Sequence, residues 1–140
     1  MDITLRHSCS GINWNCVSEI LKNGGMSYFD GEVHRKAFEN SYAVIFVFFE
    51  DTLIGFGRVI SDGTYQAALY DVAVSPEYQG KSIGTTIVNQ LLEKIPGCNV
   101  ILYASPKKEH FYETLNFRRM KTGMALFLDR ETMSSRGFTE

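Results

Sequence analysis

A chain of 140 residues is most simply one domain, 1–140, long enough to bury most of its apolar surface. Its 44% hydrophobic and 21% charged content is ordinary for a soluble globular protein, and its net charge of -2 gives no global attraction to nucleic acid or an anionic membrane surface. The longest apolar run, Ala43 to Phe49, is far short of the ~20 residues a membrane helix needs.

The first residues, Met-Asp-Ile-Thr-Leu-Arg, lack a signal-peptide pattern. Cys9, Cys16 and Cys98 fit no metal or disulfide spacing, so they read as free thiols in a reducing, cytoplasmic setting. Ile3 to His7 alternates as a first strand. Ile12, Cys16, Ile20 and Leu21 recur at helical spacing, and Asn23-Gly24-Gly25 ends that helix. Met26 to Asn40 is ambiguous, with a short second helix expected around Val33 to Phe38.

The middle reads as an antiparallel meander. Ala43 to Phe49 is β-branched and aromatic, Glu50-Asp51 is a two-residue turn, and Thr52 to Ile60 returns. Gly55 and Gly57 leave room for close approach in that strand. Ser61-Asp62-Gly63 carries an Asp-Gly hairpin signal, and Gln66 to Val74 is the third strand. After Gly80 the period changes. Ile83, Ile87, Val88, Leu91, Leu92 and Ile95 form one wide apolar face of a helix stopped by Pro96-Gly97. Cys98 to Ala104 reads as a strand buried on both faces. Pro106 opens a further helix over Lys107 to Leu115. Phe117 to Met120 and Met124 to Leu128 are expected as a closing strand pair, and the last dozen residues as a loose tail. The fold class is mixed α/β. The helix between Val74 and Cys98 suits a crossover between parallel neighbours.

Val72-Ala-Val-Ser-Pro-Glu-Tyr-Gln-Gly-Lys-Ser-Ile-Gly84 is the most informative stretch. A strand exits through a Pro-marked turn into a Gly-punctuated loop that opens a helix. Main-chain N–H groups from Gly80 to Thr85 would converge there, with the helix dipole and Lys81 adding positive charge. A diphosphate suits that environment; a simple helix cap after a turn is the other reading. A nucleotide P-loop is excluded because Ser75 stands where its first Gly is required, and a dinucleotide fingerprint fails at its second glycine.

The segment Gln79 to Gly84 resembles motif A of the GNAT superfamily of N-acetyltransferases, Gln/Arg-x-x-Gly-x-Gly/Ala before a helix. Ser82 replaces the middle glycine: its N–H stays available, while its Cβ crowds a ligand. Phe111-Tyr112-Glu113-Thr114-Leu115-Asn116-Phe117 resembles motif B, with Asn116 at the usual Gly and able to take its left-handed conformation. Asp71 to Tyr78 resembles the family's fourth strand and exit. The element order matches from about Ala43 to Leu128. The resemblance implies a GNAT-like, mostly antiparallel mixed sheet with a splayed strand pair and about four helices.

It also implies acetyl-CoA as cosubstrate and direct transfer to a primary amine. Pantetheine would pair with the backbone at Val72, Ala73 and Val74. The pyrophosphate would sit on Gln79, Gly80, Lys81, Ser82, Ile83 and Gly84, with Thr85 as a hydroxyl donor. The amine must be neutral, the oxyanion needs a donor such as the Val74 N–H, and the leaving thiolate needs a proton. Tyr112 matches the family's general acid, since a phenol's ordinary pKa lies near that of a thiol; a packed aromatic is the plainer reading. Asp71 is the candidate base, against a structural carboxylate, and Glu77 and His110 are weaker candidates. Lys107, Lys108 and Arg58 either meet the CoA 3′-phosphate or are solvated surface charge. His7, His34 and His110 show no ligand spacing, so no metal is expected.

In such enzymes the N-terminal helices and their connection hold the acceptor. Here that region carries Met26, Tyr28, Phe29 and Val33, which favours a small amine with an apolar or aromatic portion; ordinary core is the other reading. The expected partner is therefore a small-molecule amine. A peptide amine, or acyl-CoA sensing without catalysis, is the alternative, and a homodimer is a family expectation.

Overall fold

The computed structural model describes residues 1–140. The chain divides into two compact units, Met1–Leu102 and Tyr103–Glu140.

The first unit contains β1 (Ile3–Arg6), α1 (Trp14–Asn23), α2 (Gly31–Glu39), β2 (Ala43–Phe49), β3 (Thr52–Ser61), β4 (Gln66–Val74), α3 (Ile83–Glu93) and β5 (Asn99–Ile101). Its single sheet runs β1-β2-β3-β4-β5, antiparallel except for the final, parallel β4–β5 pair. This is the mixed, mostly antiparallel sheet expected, and α3 supplies the crossover that a parallel pair needs.

Local chemistry sets the helix ends. The Asn13 side chain accepts from the N–H groups of Asn15 and Cys16 at 3.1 and 3.3 Å, capping α1. Beyond its other end Gly25 takes a left-handed φ of 73°. Val17, Ile20 and Leu21 of α1 and Phe38 of α2 pack with Val44, Phe46, Phe56 and Ala73 on one side of the sheet. Ile45 and Val47, also fully buried, alternate to the opposite face, where α3 contributes Ile83, Ile87, Val88 and Leu91. Each buried aliphatic or aromatic side chain contributes roughly 1.5–3 kcal/mol. The pairs of Arg35 with Glu32 and Glu39 are exposed and screened by solvent, so the two apolar layers hold this unit. Gly57 decides how close α3 can come: a Cβ there would lie 2.9 Å from Ile87 Cγ2 and 3.1 Å from Leu91 Cδ1. The close approach expected at Gly55 and Gly57 is thus the seat of α3.

The sequence expectation fails at β5. Only Asn99–Ile101 is strand, and both end residues are exposed, so the segment is a short edge and not a strand buried on both faces. Apolar content alone does not separate these cases; β5 has a neighbour on one side only. The Asp-Gly hairpin also closes differently. Asp62 Oδ1 accepts from the N–H groups of Thr64, Tyr65 and Gln66 at 2.7, 2.9 and 3.1 Å, organising a longer loop. Those donors, Thr64 foremost, hold the Asp62 carboxyl below its ordinary pKa.

The second unit contains α4 (Glu109–Glu113) and α5 (Arg130–Ser135). The helix expected over Lys107 to Leu115 is shorter because Lys107 has φ 74° and the Lys108 N–H bonds to Ser105 O at 2.9 Å, which makes a turn. Pro106 therefore lies within that turn, at its second position, and does not open the helix. Asn116, at φ 73°, ends it as expected. Phe117 N–H reaches Tyr112 O, and Asn116 N–H reaches Glu113 O, both at 3.1 Å, a Schellman closure. Phe117 to Met120 and Met124 to Leu128 form no strands; Met124, Leu126 and Leu128 are 94–109% exposed. Their continuous apolar run suits a strand, but β-propensity is realised only against a partner. The tail is also more ordered than expected. Asp129 caps α5 by accepting from Thr132 N–H at 3.1 Å and Thr132 Oγ1–H at 2.8 Å. Tyr103 packs edge-on against Phe127 and Phe138 at 5.5 and 5.9 Å.

Candidate functional site

The site begins with an irregularity in β4. Phe56 pairs with Ala73 and Arg58 with Tyr70, so Asp71 and Val72 together oppose Gly57. Asp71 takes a φ of 55°. Such a bulge bends its strand and re-aims nearby side chains. The parallel pairing with β5 stops at Ala68–Ile101, so Leu69 to Val74 have no strand on that edge. An unpaired edge offers backbone donors and acceptors to an extended ligand. Val72, Ala73 and Val74 lie on it, and the Ala73 side chain is buried in the core, leaving its backbone for contact.

The following loop is braced from within. Gln79 Nε2 donates to Val74 O at 3.0 Å, tying the loop to the strand end. At Gly80, φ is 79° and a Cβ would meet nothing within 4 Å, so the space above it is open. Ser82 sits at the start of α3 with φ 65° and makes no side-chain cap. Thr86 donates both its N–H and its hydroxyl to Ser82 O, at 3.1 and 3.2 Å. The first-turn N–H groups of Ile83, Gly84 and Thr85 have no acceptor within the helix and lie at its positive end. Gly80, Lys81 and Ser82 are exposed, Gly84 and Thr85 half-buried. Ile83 has its side chain in the core and offers its N–H alone.

Behind the bulge, Arg58 Nε donates to Asp71 Oδ2 at 2.7 Å, with side chains only 15% and 23% exposed. The Arg58 guanidinium also lies 5.3 Å from the Tyr70 ring and 5.7 Å from the Phe38 ring. Arg58 is thus neither solvated surface charge nor free for a phosphate; it is committed to Asp71. Sequence reasoning missed this pair because the bulge that aligns the two is not written in any spacing.

The α1–α2 connection presents Tyr28 and Phe29, and the first turn of α2 presents Val33; they are 49%, 58% and 50% exposed and so are not ordinary core, whereas Met26 packs against the core. Phe29 is pinned through its backbone. Its N–H donates to His34 Nε2 at 2.9 Å, and its O accepts from Ser18 Oγ–H at 2.7 Å. His34 is 4% exposed, and burial pushes its pKa down against the opposing pull of Asp71. The sequence marks His34 only by its failure to fit a metal-ligand spacing.

In the second unit, Tyr112 packs edge-on against Phe111 and Phe117, with centroids at 4.9 and 5.8 Å. Burial pushes its phenol up to about 12, above the thiol range expected from sequence. His110, Lys107 and Lys108 are exposed, as is Glu77 in the first unit. No group of three or more His, Cys, Asp or Glu stands together to hold a metal ion, and no helix is long and apolar enough to cross a membrane. All three cysteines are free.

A bulged strand, a strand edge without a neighbour and a helix start without a side-chain cap thus follow one another along the chain. The chain belongs to the acetyltransferase (GNAT) family, whose model matches residues 12–117. It is similar to GCN5-related N-acetyltransferase 1, chloroplastic, of Arabidopsis thaliana, 29% identical over 118 residues that cover 81% of this chain and 60% of the relative. It is similar to serotonin N-acetyltransferase 2, chloroplastic, of Oryza sativa subsp. japonica, 28% identical with 94% of this chain and 70% of the relative covered. The chain thus spans 60–70% of the length of these two curated relatives. Among solved structures, a probable acetyltransferase of meticillin-resistant Staphylococcus aureus superposes with a TM-score of 0.80 at 25% identity, covering 90% of this chain and 99% of that one.

Proposed function

We propose that this chain transfers the acetyl group of acetyl-CoA directly to a primary amine of a small molecule bearing an aromatic or apolar portion, and that residues 1–140 work as one acetyltransferase domain. The observation that carries the reading is the β4 edge without a neighbouring strand beside the bulge, followed by an exposed Gly80–Ser82 loop and a helix start without a side-chain cap. Acetyl-CoA, when bound, supplies the activated thioester. The backbone of Val72 to Val74 would hold the pantetheine as an added strand. Gly80 to Thr85 would hold the pyrophosphate, with Gln79 bracing their loop to Val74 O. The Val74 N–H, or a neighbour's, stabilises negative charge developing on the carbonyl oxygen.

Tyr112 serves as general acid toward the leaving sulfur. Its raised pKa keeps the phenol protonated throughout the working range, while making it a weaker donor than a solvated phenol, so the transfer relies on the leaving sulfur gaining charge in the same desolvated surroundings. Asp71 accepts the amine's proton through water, with Arg58 holding its Oδ2 in place. The exposed Tyr28 and Phe29 rings supply the apolar surface for the acceptor. The rice relative's name, serotonin N-acetyltransferase, supports an arylalkylamine. A protein amine is the second reading, favoured by 34% identity over 76 residues to a relative named histone acetyltransferase TAP1 of Glycine max. The test is free-thiol release from acetyl-CoA across a panel of arylalkylamines, aliphatic amines and lysine peptides. Turnover on arylalkylamines is expected. Turnover on peptides alone would replace this acceptor with the second reading. Stabilisation by CoA without turnover on any amine would make the chain an acyl-CoA sensor.

A further inference from the structure

We infer that His34 is a positioning residue for the amine acceptor: its buried ring fixes the Phe29 backbone and thereby sets where the Tyr28 and Phe29 rings meet the amine. The inference rests on the acceptor site proposed above. His34 Nε2 accepts the Phe29 N–H at 2.9 Å, which requires a lone pair on that nitrogen and places the ring proton on Nδ1. The ring is therefore neutral; an imidazolium would set two N–H donors against each other. The Phe29 ring lies over the imidazole at 5.7 Å with a 52° tilt. With Phe29 O accepting from Ser18 Oγ–H, both backbone groups of Phe29 are engaged while its side chain is 58% exposed. This suits a recognition residue held rigidly and presented to solvent. A buried imidazole is costly without a partner, and an apolar residue would fill the same place more cheaply, so the hydrogen bond is the reason for histidine here.

The charged groups acting on the ring come from the strands beneath it. Asp71 of β4 favours the imidazolium, Arg58 of β3 disfavours it, and the two are paired with each other at 2.7 Å. Burial is the larger influence and lowers the pKa. Because the folded pKa lies below the unfolded value, the latch is fully present above about 6.5 and is lost as pH falls through the folded value. The acceptor loop should therefore loosen on acidification while the backbone-built CoA site does not.

The test uses the full chain, 2-phenylethylamine and acetyl-CoA. In His34→Ala the Phe29 amide should lose ten-fold or more of its hydrogen-exchange protection, and the amine KM should rise about ten-fold at about pH 8, with kcat within two-fold and the acetyl-CoA KM unchanged. His34→Gln places an amide oxygen that can accept the same N–H without titrating. It should bring the amine KM back to within about three-fold of the parent protein and remove the extra rise seen below about pH 6.5, the amine's own ionisation being common to both. Unchanged Phe29 protection in His34→Ala overturns the inference. So does an acid limb in His34→Gln equal to that of the parent. Should the parent protein acetylate no amine, the function proposed above fails separately, and Phe29 exchange still decides whether His34 holds the loop.

Discussion

The β4–α3 segment and the α1–α2 connection are built from different materials. The first is almost all main chain: the β4 edge beyond the last β5 pair, at Val72 to Val74, and N–H groups at the start of α3. Its side chains mostly face inward, as Ala73 and Ile83 do, or brace the loop, as Gln79 does. The second presents side chains, Tyr28 and Phe29, with the Phe29 backbone pinned by Ser18 and His34. A ligand common to a whole family can be held by backbone geometry, which tolerates sequence change wherever φ and close packing allow. An acceptor that differs among members needs side chains, and these can be exchanged without disturbing the sheet.

That contrast can be broken by attacking the support of each region. Gly57→Val should have the largest effect, a loss of about 2–3 kcal/mol in urea unfolding, because the new side chain must displace Ile87 and Leu91 and so unseat α3. Retained stability would show that the helix is not held as tightly as the geometry indicates. Tyr112→Phe separates chemistry from both binding regions: kcat should fall ten-fold or more, about 1.4 kcal/mol, with CoA affinity unchanged. An unaltered kcat removes Tyr112 from the mechanism. Since burial raises the Tyr112 pKa to about 12, the protonated acid persists above the ordinary phenol range, and kcat should show no fall near pH 10 from its ionisation. Phe29→Ala should raise the KM of an arylalkylamine about five-fold and leave the acetyl-CoA KM alone. Equal changes in both would mean that the two regions are not distinct. Ser82→Gly is the smallest. Relieving a left-handed serine and its Cβ should tighten CoA about three-fold in calorimetric titration. Weaker binding would show that the serine has been recruited as a ligand.

The same contrast explains what the sequence reveals. β2 and β4 are legible to the residue because alternation, β-branching and turn residues agree there with the final sheet. The loop from Gln79 to Gly84 is legible as a turn into a helix because glycine and left-handed positions have few uses. The Arg58–Asp71 pair is not, since it depends on a bulge opposite Gly57 that no pattern announces. His34 is hidden for a similar reason. Its partner is a backbone N–H only five residues away, in a loop whose path periodicity does not encode. In the second unit, Met124 to Leu128 is a short apolar run that reads as a strand and forms none, because a strand is a property of a pair. The cap at Asp129 leaves a weaker signal, an Asp at the N-cap with Glu131 in the first turn.

The most direct test of a backbone-built CoA site serving an aromatic amine is one titration, free-thiol release from acetyl-CoA against increasing 2-phenylethylamine, with CoA-induced thermal stabilisation measured on the same sample. The account predicts saturable, amine-dependent thiol release together with a raised Tm. No stabilisation by CoA and no thiol release at any amine concentration would contradict it.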